Sequence, residues 1–382
     1  MPDTATEKPV VARGLAGVYA LESALSFIDG EAGILVYRGY NIHELAGKAS
    51  FEEVAHLLWK GHLPNQTELD TLNAELRANR EVDDVIVDTL AKLPKNIEPM
   101  AALRTAVSLL GNFDPEAEDM SPEANYRKSI RLTAQMPTVL AAFDRVRKGL
   151  PVIKPRKEGS IAAEFLYMIN GEVPGAATEH TLDTCLVLQA DHGSNASTFT
   201  GRAAASTLSD LHSSVVSAIG ALKGPLHGGA NIAVMRMLKD IEARGMTVEA
   251  FVAEKFAKKE KIMGFGHRVY KTLDPRAVSL REMLIKVSEE KGEMKWYEME
   301  TKMQQLVKDA KGLNANVDFY SAPLYYLMGI EIDLFTPIFA MSRITGWTAS
   351  IMEQYADNAL MRPKSVYTGV TDLKFTPISD RG

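Results

Sequence analysis

From residue 50 onward, apolar side chains recur three and four positions apart, the spacing that lays them along one face of a helix. Ser50 and Glu53 form the reciprocal capping pair of a helix start, Phe51, Val54 and Leu58 line one face, and Gly61 supplies a stop. Pro99 suits a first helical turn, after which Met100, Leu103, Val107 and Leu110 predict a buried stripe ending at Gly111. Ser121 and Pro122 predict another start, with Pro137 expected to kink or divide that helix, and Asp274 with Pro275 open a further one. Only residues 17–40 follow a period of two. Asp29, Gly30 and Gly33 can turn the chain between SALSFI and ILVYRGY, so one small hairpin is expected there. No strand-helix-strand alternation and no fixed repeat follows, and the prediction is an all-α fold. The one soft boundary is Lys223-Gly224-Pro225, where a long apolar helix should stop; KPRKEGS at 154–160 reads as a charged loop, too short for a domain linker.

Composition narrows the function classes. A chain of 382 residues with 46% hydrophobic positions can fill a real core, which excludes disorder. Its net charge of −6 lacks the positive field that non-specific nucleic-acid binding requires, so no nucleic-acid partner is expected. The single Cys185 excludes an internal disulfide framework and fits a reducing, cytoplasmic location. The leader MPDTATEKPVVARG carries acids and no apolar segment of signal-peptide length. Residues 322–341, the most apolar long stretch, are broken by Glu331, Asp333 and Pro337, and a buried helix pair is expected there rather than a membrane span.

Eight histidines are unequally placed. His43, His56, His62, His180 and His212 sit among ordinary helical or loop residues and receive no role. His192, His227 and His267 each stand beside glycines, in ADHGSN, GPLHGGAN and GFGHRVYK, where backbone and ligand can approach closely. Metal chemistry is disfavoured because HxxxH, HxH and CxxC pairings are missing, and Cys185 lies in an apolar helical run. There is no GxSxG elbow, no phosphate-binding GxxxxGK[ST] and no complete dinucleotide fingerprint. Lysines 255, 258, 259, 261 and 271 with Arg268 crowd around the 264–266 glycines, either as a solvated helix face or as a polyphosphate contact. Asp318, among Val317, Phe319 and Tyr320, is placed for a raised pKa and a general-base role, or for a helix N-cap that Asn316 could equally fill. Arg276, Arg343 and Arg362 need an anion, from the protein or from a ligand.

Taken together, DHGSNASTFTGR, GPLHGGAN, GFGHRVYKTLDPR, NVDFYSAP, FTPIFAMSRITGW and RPKSVYTG resemble the signature segments of the citrate synthase family, in its order and at its separations, over roughly residues 14–370. The resemblance implies a large helical domain (1–221 and 331–382) and a smaller inserted helical domain (222–330) closing over a cleft. It also implies an acyltransferase at the entry of the tricarboxylic acid cycle, which condenses acetyl-CoA with oxaloacetate and hydrolyses citryl-CoA to citrate and CoA. In that reading Asp318 removes the methyl proton, His227 holds the thioester oxygen and His267 polarises the ketone. His192, Arg276, Arg343 and Arg362 bind oxaloacetate and citrate, Arg362 reaching the neighbouring site of a homodimer. Lys261 and Arg268 are assigned to the CoA phosphates. Acetyl-CoA enters as co-substrate, with no permanent cofactor and no metal.

Ser350 stands where family members often carry histidine after GWTA, which touches local packing or dimer contact rather than the reaction. Without a long N-terminal domain, the chain looks like the shorter dimeric members rather than the hexameric, NADH-regulated type. The runner-up is 2-methylcitrate synthase, which takes propionyl-CoA on the same scaffold and differs by one methylene in the acyl pocket. Leu226 in GPLHGG and the RPKS string look more like citrate synthases. A third reading, an inactive helical CoA-binding scaffold, gives little reason to keep His227, His267 and Asp318 together.

Overall fold

The computed structural model describes residues 10–15, 17–267 and 269–381. The expected hairpin is present: β1 (Ser26–Asp29) pairs antiparallel with β2 (Ile34–Tyr37), Ser26 opposite Tyr37 and Asp29 opposite Ile34. A third strand, β3 (Tyr40–Asn41), adds to β2, and its two residues carry too little pattern to be read from sequence.

Sixteen α-helices follow among the described residues. The first four are α1 (Ile42–Leu45), α2 (Phe51–Lys60), α3 (Gln66–Ala78) and α4 (Asp84–Lys92). Next come α5 (Pro99–Phe113), α6 (Pro122–Arg147), α7 (Ile161–Asn170), α8 (Ala176–Gln189), α9 (Ala196–Ala205) and α10 (Leu211–Leu222). The chain finishes with α11 (Ala230–Ala243), α12 (Val248–Ala257), α13 (Pro275–Lys291), α14 (Lys295–Lys311), α15 (Val317–Leu327) and α16 (Phe335–Ala356). The Ser50 and Glu53 capping box forms, and Gly61 ends α2 in the left-handed region at φ 86°.

At helix interiors the expected stop at Gly111 is corrected, and of the kink or division expected at Pro137 the division is excluded. α5 runs past Gly111 to Phe113, because Gly111 is a packing glycine: a Cβ there would lie 2.9 Å from that of His212. Pro137 does not divide α6, which continues as one helix from Pro122 to Arg147. Proline removes a single backbone bond, and this stretch is buried against α5, α7 and α16, whose packing holds the helix together. The apolar stretch 322–341 becomes the end of α15 and the start of α16, and no helix among the described residues is long and apolar enough to cross a membrane.

Among the described residues, buried apolar side chains fall into two groups. One joins α4, α5, α6, α10 and α16; the other joins the sheet, α2, α3, α7 and α8 with α11 to α15. α6 and α16 give residues to both, and α16 is buried along nearly all of residues 335–351. This central helix comes close to the end of α8 at Gly346, whose N–H donates to the Ala190 carbonyl at 3.2 Å. A Cβ at residue 346 would collide with that carbonyl and sit 2.6 Å from Asp191 Oδ1. Gly346→Ala is therefore expected to lower stability by about 1–3 kcal/mol, read as an earlier denaturant midpoint. An unchanged midpoint would show that the contact relaxes without strain.

Candidate active site

Residues at or just before the N-termini of α9, α11, α13 and α15 converge with α16 on a cavity of about 730 Å³. Its walls include His192, His227, His267, Arg276, Asp318 and Arg343, six residues singled out in the sequence. Helix N-termini present unpaired N–H groups and partial positive charge, so this convergence favours an anion before any side chain is counted.

His192 sits in the loop between α8 and α9. That loop is pinned from the sheet: Tyr37 Oη donates to the Asp191 carbonyl at 2.7 Å, and Ser26 Oγ donates to Asp191 Oδ2 at 2.6 Å. The His192 Nε2 lies 3.1 Å from Tyr270 Oη, and its ring centroid is 5.4 Å from that of His267. Burial, reinforced by Arg276 and Arg343, pushes its pKa well down and keeps it neutral.

The other two histidines have their tautomers set by backbone donors. His267 Nδ1 accepts N–H bonds from Val269 at 3.0 Å and Tyr270 at 3.1 Å, so the ring proton resides on Nε2. His227 Nε2 accepts from the Ser197 N–H at 3.3 Å and lies 2.9 Å from Ser197 Oγ, which places its proton on Nδ1. Trp347 Nε1 donates to the same Oγ at 3.1 Å. Burial pushes both histidines down to about 4, His267 with help from Arg276 and His227 with help from Arg343. At neutral pH each is an uncharged hydrogen-bond donor with a defined donating nitrogen.

Asn316 takes the N-cap of α15 by accepting from the Asp318 N–H at 3.0 Å, which leaves the Asp318 carboxylate uncommitted to capping. The same Asn316 donates to the Gly266 carbonyl at 2.9 Å, and Phe265 bridges Ala315, so the turns bearing His267 and Asp318 are tied together. Asp318 is reached from the cavity but ringed by protein, and burial raises its carboxyl to about 6 against the pull of Arg276.

The two arginines differ. Arg276 is held by Asp274 through Nε at 2.9 Å and Nη2 at 2.8 Å. Arg343 donates Nε to the Gln189 carbonyl at 2.7 Å and stacks 4.6 Å from the Phe339 ring centre, while its buried Nη2 has no hydrogen-bond partner. Burial lowers its pKa to about 10, still far above neutrality. A charged guanidinium on the cavity wall suits an anionic ligand.

Two predicted residues, Lys261 and Arg362, are elsewhere. Lys261 is solvent-exposed and off the cavity wall, and Arg268 lies outside the described residues. Arg362 is exposed on the extended tail after α16 and does not reach the cavity of its own chain. Sequence reading missed Ser197, Tyr270, Asp274 and Trp347; each lay inside a quoted string, but only the fold shows which ring or guanidinium it orients. It also missed the support from the sheet. The Lys271 N–H donates to the Gly30 carbonyl at 2.8 Å, and a Cβ on Gly30 would strike the Val269 carbonyl, so the β1-β2 turn buttresses the His267 loop.

A family model described as citrate synthase, C-terminal domain, matches residues 14–364. A citrate synthase of Haloferax volcanii is 52% identical over 97% of this chain and 98% of its own length. A 2-methylcitrate synthase of Mycobacterium tuberculosis is 46% identical over 96% of this chain and 92% of its own. The structure of a Thermoplasma acidophilum citrate synthase in ternary complex with carboxymethyl coenzyme A and oxaloacetate superposes with a TM-score of 0.91 at 31% identity, covering 98% of this chain and 100% of that one. With a family model spanning most of its length and relatives at this identity, the chain belongs to the citrate synthase family.

Proposed function

We propose that this cavity condenses acetyl-CoA with oxaloacetate and hydrolyses the resulting citryl-CoA to citrate and CoA, the entry step of the tricarboxylic acid cycle. The observation that carries the reading is the combination of one raised carboxylate, two neutral histidines with backbone-set tautomers, and a buried Arg343 on the cavity wall with one donor unpaired. Arg276 and Arg343, sharing the cavity wall with His192 and His267, suit the two carboxylates of oxaloacetate. Asp318 takes a methyl proton from the acetyl group while the Nδ1–H of His227 steadies the charge gathering on the thioester oxygen. The new carbon bond forms at the ketone carbon, whose oxygen meets the Nε2–H of His267 and ends as a hydroxyl. The proton taken at Asp318 balances the one delivered there. Water then cleaves the thioester, releasing the CoA thiol.

The finer assignments belong to the same proposal. Residues 222–330 form the smaller unit and 1–221 with 331–382 the larger, the cavity lying at their junction. Lys261 and Arg268 serve the CoA phosphates. Acetyl-CoA is a co-substrate and the reaction uses no metal. The protein acts in the cytoplasm, in keeping with a single, buried, unpaired Cys185. It works as a homodimer in which Arg362 completes the partner's site; the tail that carries it also exposes Val366, Tyr367, Leu373 and Phe375, apolar surface suited to a second subunit. The 46% identical 2-methylcitrate synthase keeps propionyl-CoA as the second reading.

A thiol-release assay with oxaloacetate and either acetyl-CoA or propionyl-CoA tests the reading. Faster release with acetyl-CoA is expected; faster release with propionyl-CoA favours the second reading, and none with either rejects the enzyme assignment. Asp318→Asn should reduce condensation about a hundredfold or more while oxaloacetate still binds, and retention of most turnover in a folded variant would remove the base. Only the ionised carboxylate accepts a proton, so kcat/KM for acetyl-CoA should rise with pH through about 6, with His227 and His267 uncharged throughout. A profile flat from pH 5 to pH 7 would contradict this. Mixing Arg362→Ala chains with Asp318→Asn chains should partly restore activity on subunit exchange; verified exchange without recovery would place Arg362 outside the partner's site.

A further inference from the structure

Away from the cavity, the corner between α2 and α3 gathers three groups to which the sequence pattern gave no role. His56 lies on α2, His62 follows the stop at Gly61, and Glu68 sits in the first turn of α3. One ligating atom from each lies within 4.8 Å of the other two.

The hydrogen bonds around these groups match what a metal ion requires. His56 is buried, and its Nδ1 lies 3.0 Å from the His62 carbonyl oxygen. A carbonyl only accepts, so Nδ1 carries the proton and Nε2 keeps its lone pair. This is the outer-shell bond by which ligating histidines are oriented. Glu68 accepts the Asn65 N–H at 2.9 Å through Oε2, within a capping box, and turns Oε1 to His62 Nε2 at 3.1 Å. Bonds of about 2.0–2.1 Å to nitrogen and oxygen at tetrahedral angles place neighbouring ligand atoms at close to that separation. The His56 and His62 rings stand nearly perpendicular at 81°, with centroids 5.0 Å apart. Burial holds His56 in place, while the half-exposed Glu68 and exposed His62 leave room for water to complete the shell.

We propose that His56, His62 and Glu68 form a binding site for a zinc-type divalent metal ion, bolting the end of α2 to the start of α3. Two imidazole nitrogens and one carboxylate suit a borderline ion better than calcium or magnesium, which prefer all-oxygen shells. On binding, His62 shifts its proton from Nε2 to Nδ1 through solvent, Nε2 donates its lone pair to the metal, and nothing is oxidised or reduced. The site is independent of the proposed condensation, for none of its residues lines the cavity.

The test uses the tag-free full chain, zinc(II) in competition with a chromophoric chelator near neutral pH, and cobalt(II) absorption as a second reading of ligand geometry. Wild type is expected to take up one zinc per chain with a raised melting temperature. His62→Gln and Glu68→Gln, both at accessible positions, should each weaken binding roughly tenfold or more and abolish the thermal gain. Equal uptake by wild type and a folded His62→Gln/Glu68→Gln double variant would overturn the proposal by placing the ion elsewhere. Absence of stoichiometric uptake by the wild type would overturn it equally, leaving the corner tied by hydrogen bonds alone.

Discussion

A guanidinium buried without a full set of partners is the constraint around which the cavity is arranged. Arg343 lies in the middle of the most enclosed helix, with its Nη2 buried and without a hydrogen-bond partner from the protein. The protein offsets part of the burden with the Gln189 carbonyl and the face of Phe339, and Arg343 shares the cavity wall with His192, Arg276 and Asp318. The local field then decides the protonation of the rest. Positive charge and burial act together on the three histidines and drive them neutral, while at Asp318 burial outweighs the same cations and lifts the acid.

Neutral imidazole is ambiguous unless something fixes which nitrogen bears the proton, and here the backbone does so. Two successive N–H groups on one side of His267, and the Ser197 amide at the start of α9 for His227, assign opposite nitrogens to the two rings. Main-chain donors are indifferent to side-chain replacement, which makes the assignment robust to everything except a change in loop path.

Helix starts were legible because capping chemistry is local: Ser50 with Glu53, Pro99, Ser121 with Pro122 and Asp274 with Pro275 all open helices where the pattern placed them. Interiors were less so. Gly111 and Pro137 look like breaks in isolation, and only long-range burial explains why the helices continue through them. The glycine-flanked histidines, the two cavity arginines and Asp318 could be picked out from their neighbours, and the family resemblance gave them a common purpose. Their supports could not be picked out in this way. Ser197, Tyr270 and Trp347 are unremarkable letters until the chain brings them against a ring from another segment. The same holds for His56, His62 and Glu68, whose spacing fits no helical pairing because a tight corner folds between them.

The contact between the β1-β2 turn and the loop after His267 sets an unusual boundary for what counts as the active site. Gly30 is distant in sequence from every reacting group and carries no chemistry, yet the absence of its side chain lets the Val269 and Lys271 backbone rest on the turn. In a survey of random substitutions, damage at this turn would disturb the His267 loop while every side chain on the cavity wall stayed intact. Gly30 and the backbone at 269–271 therefore form one mechanical unit, in which neither side can shift without the other.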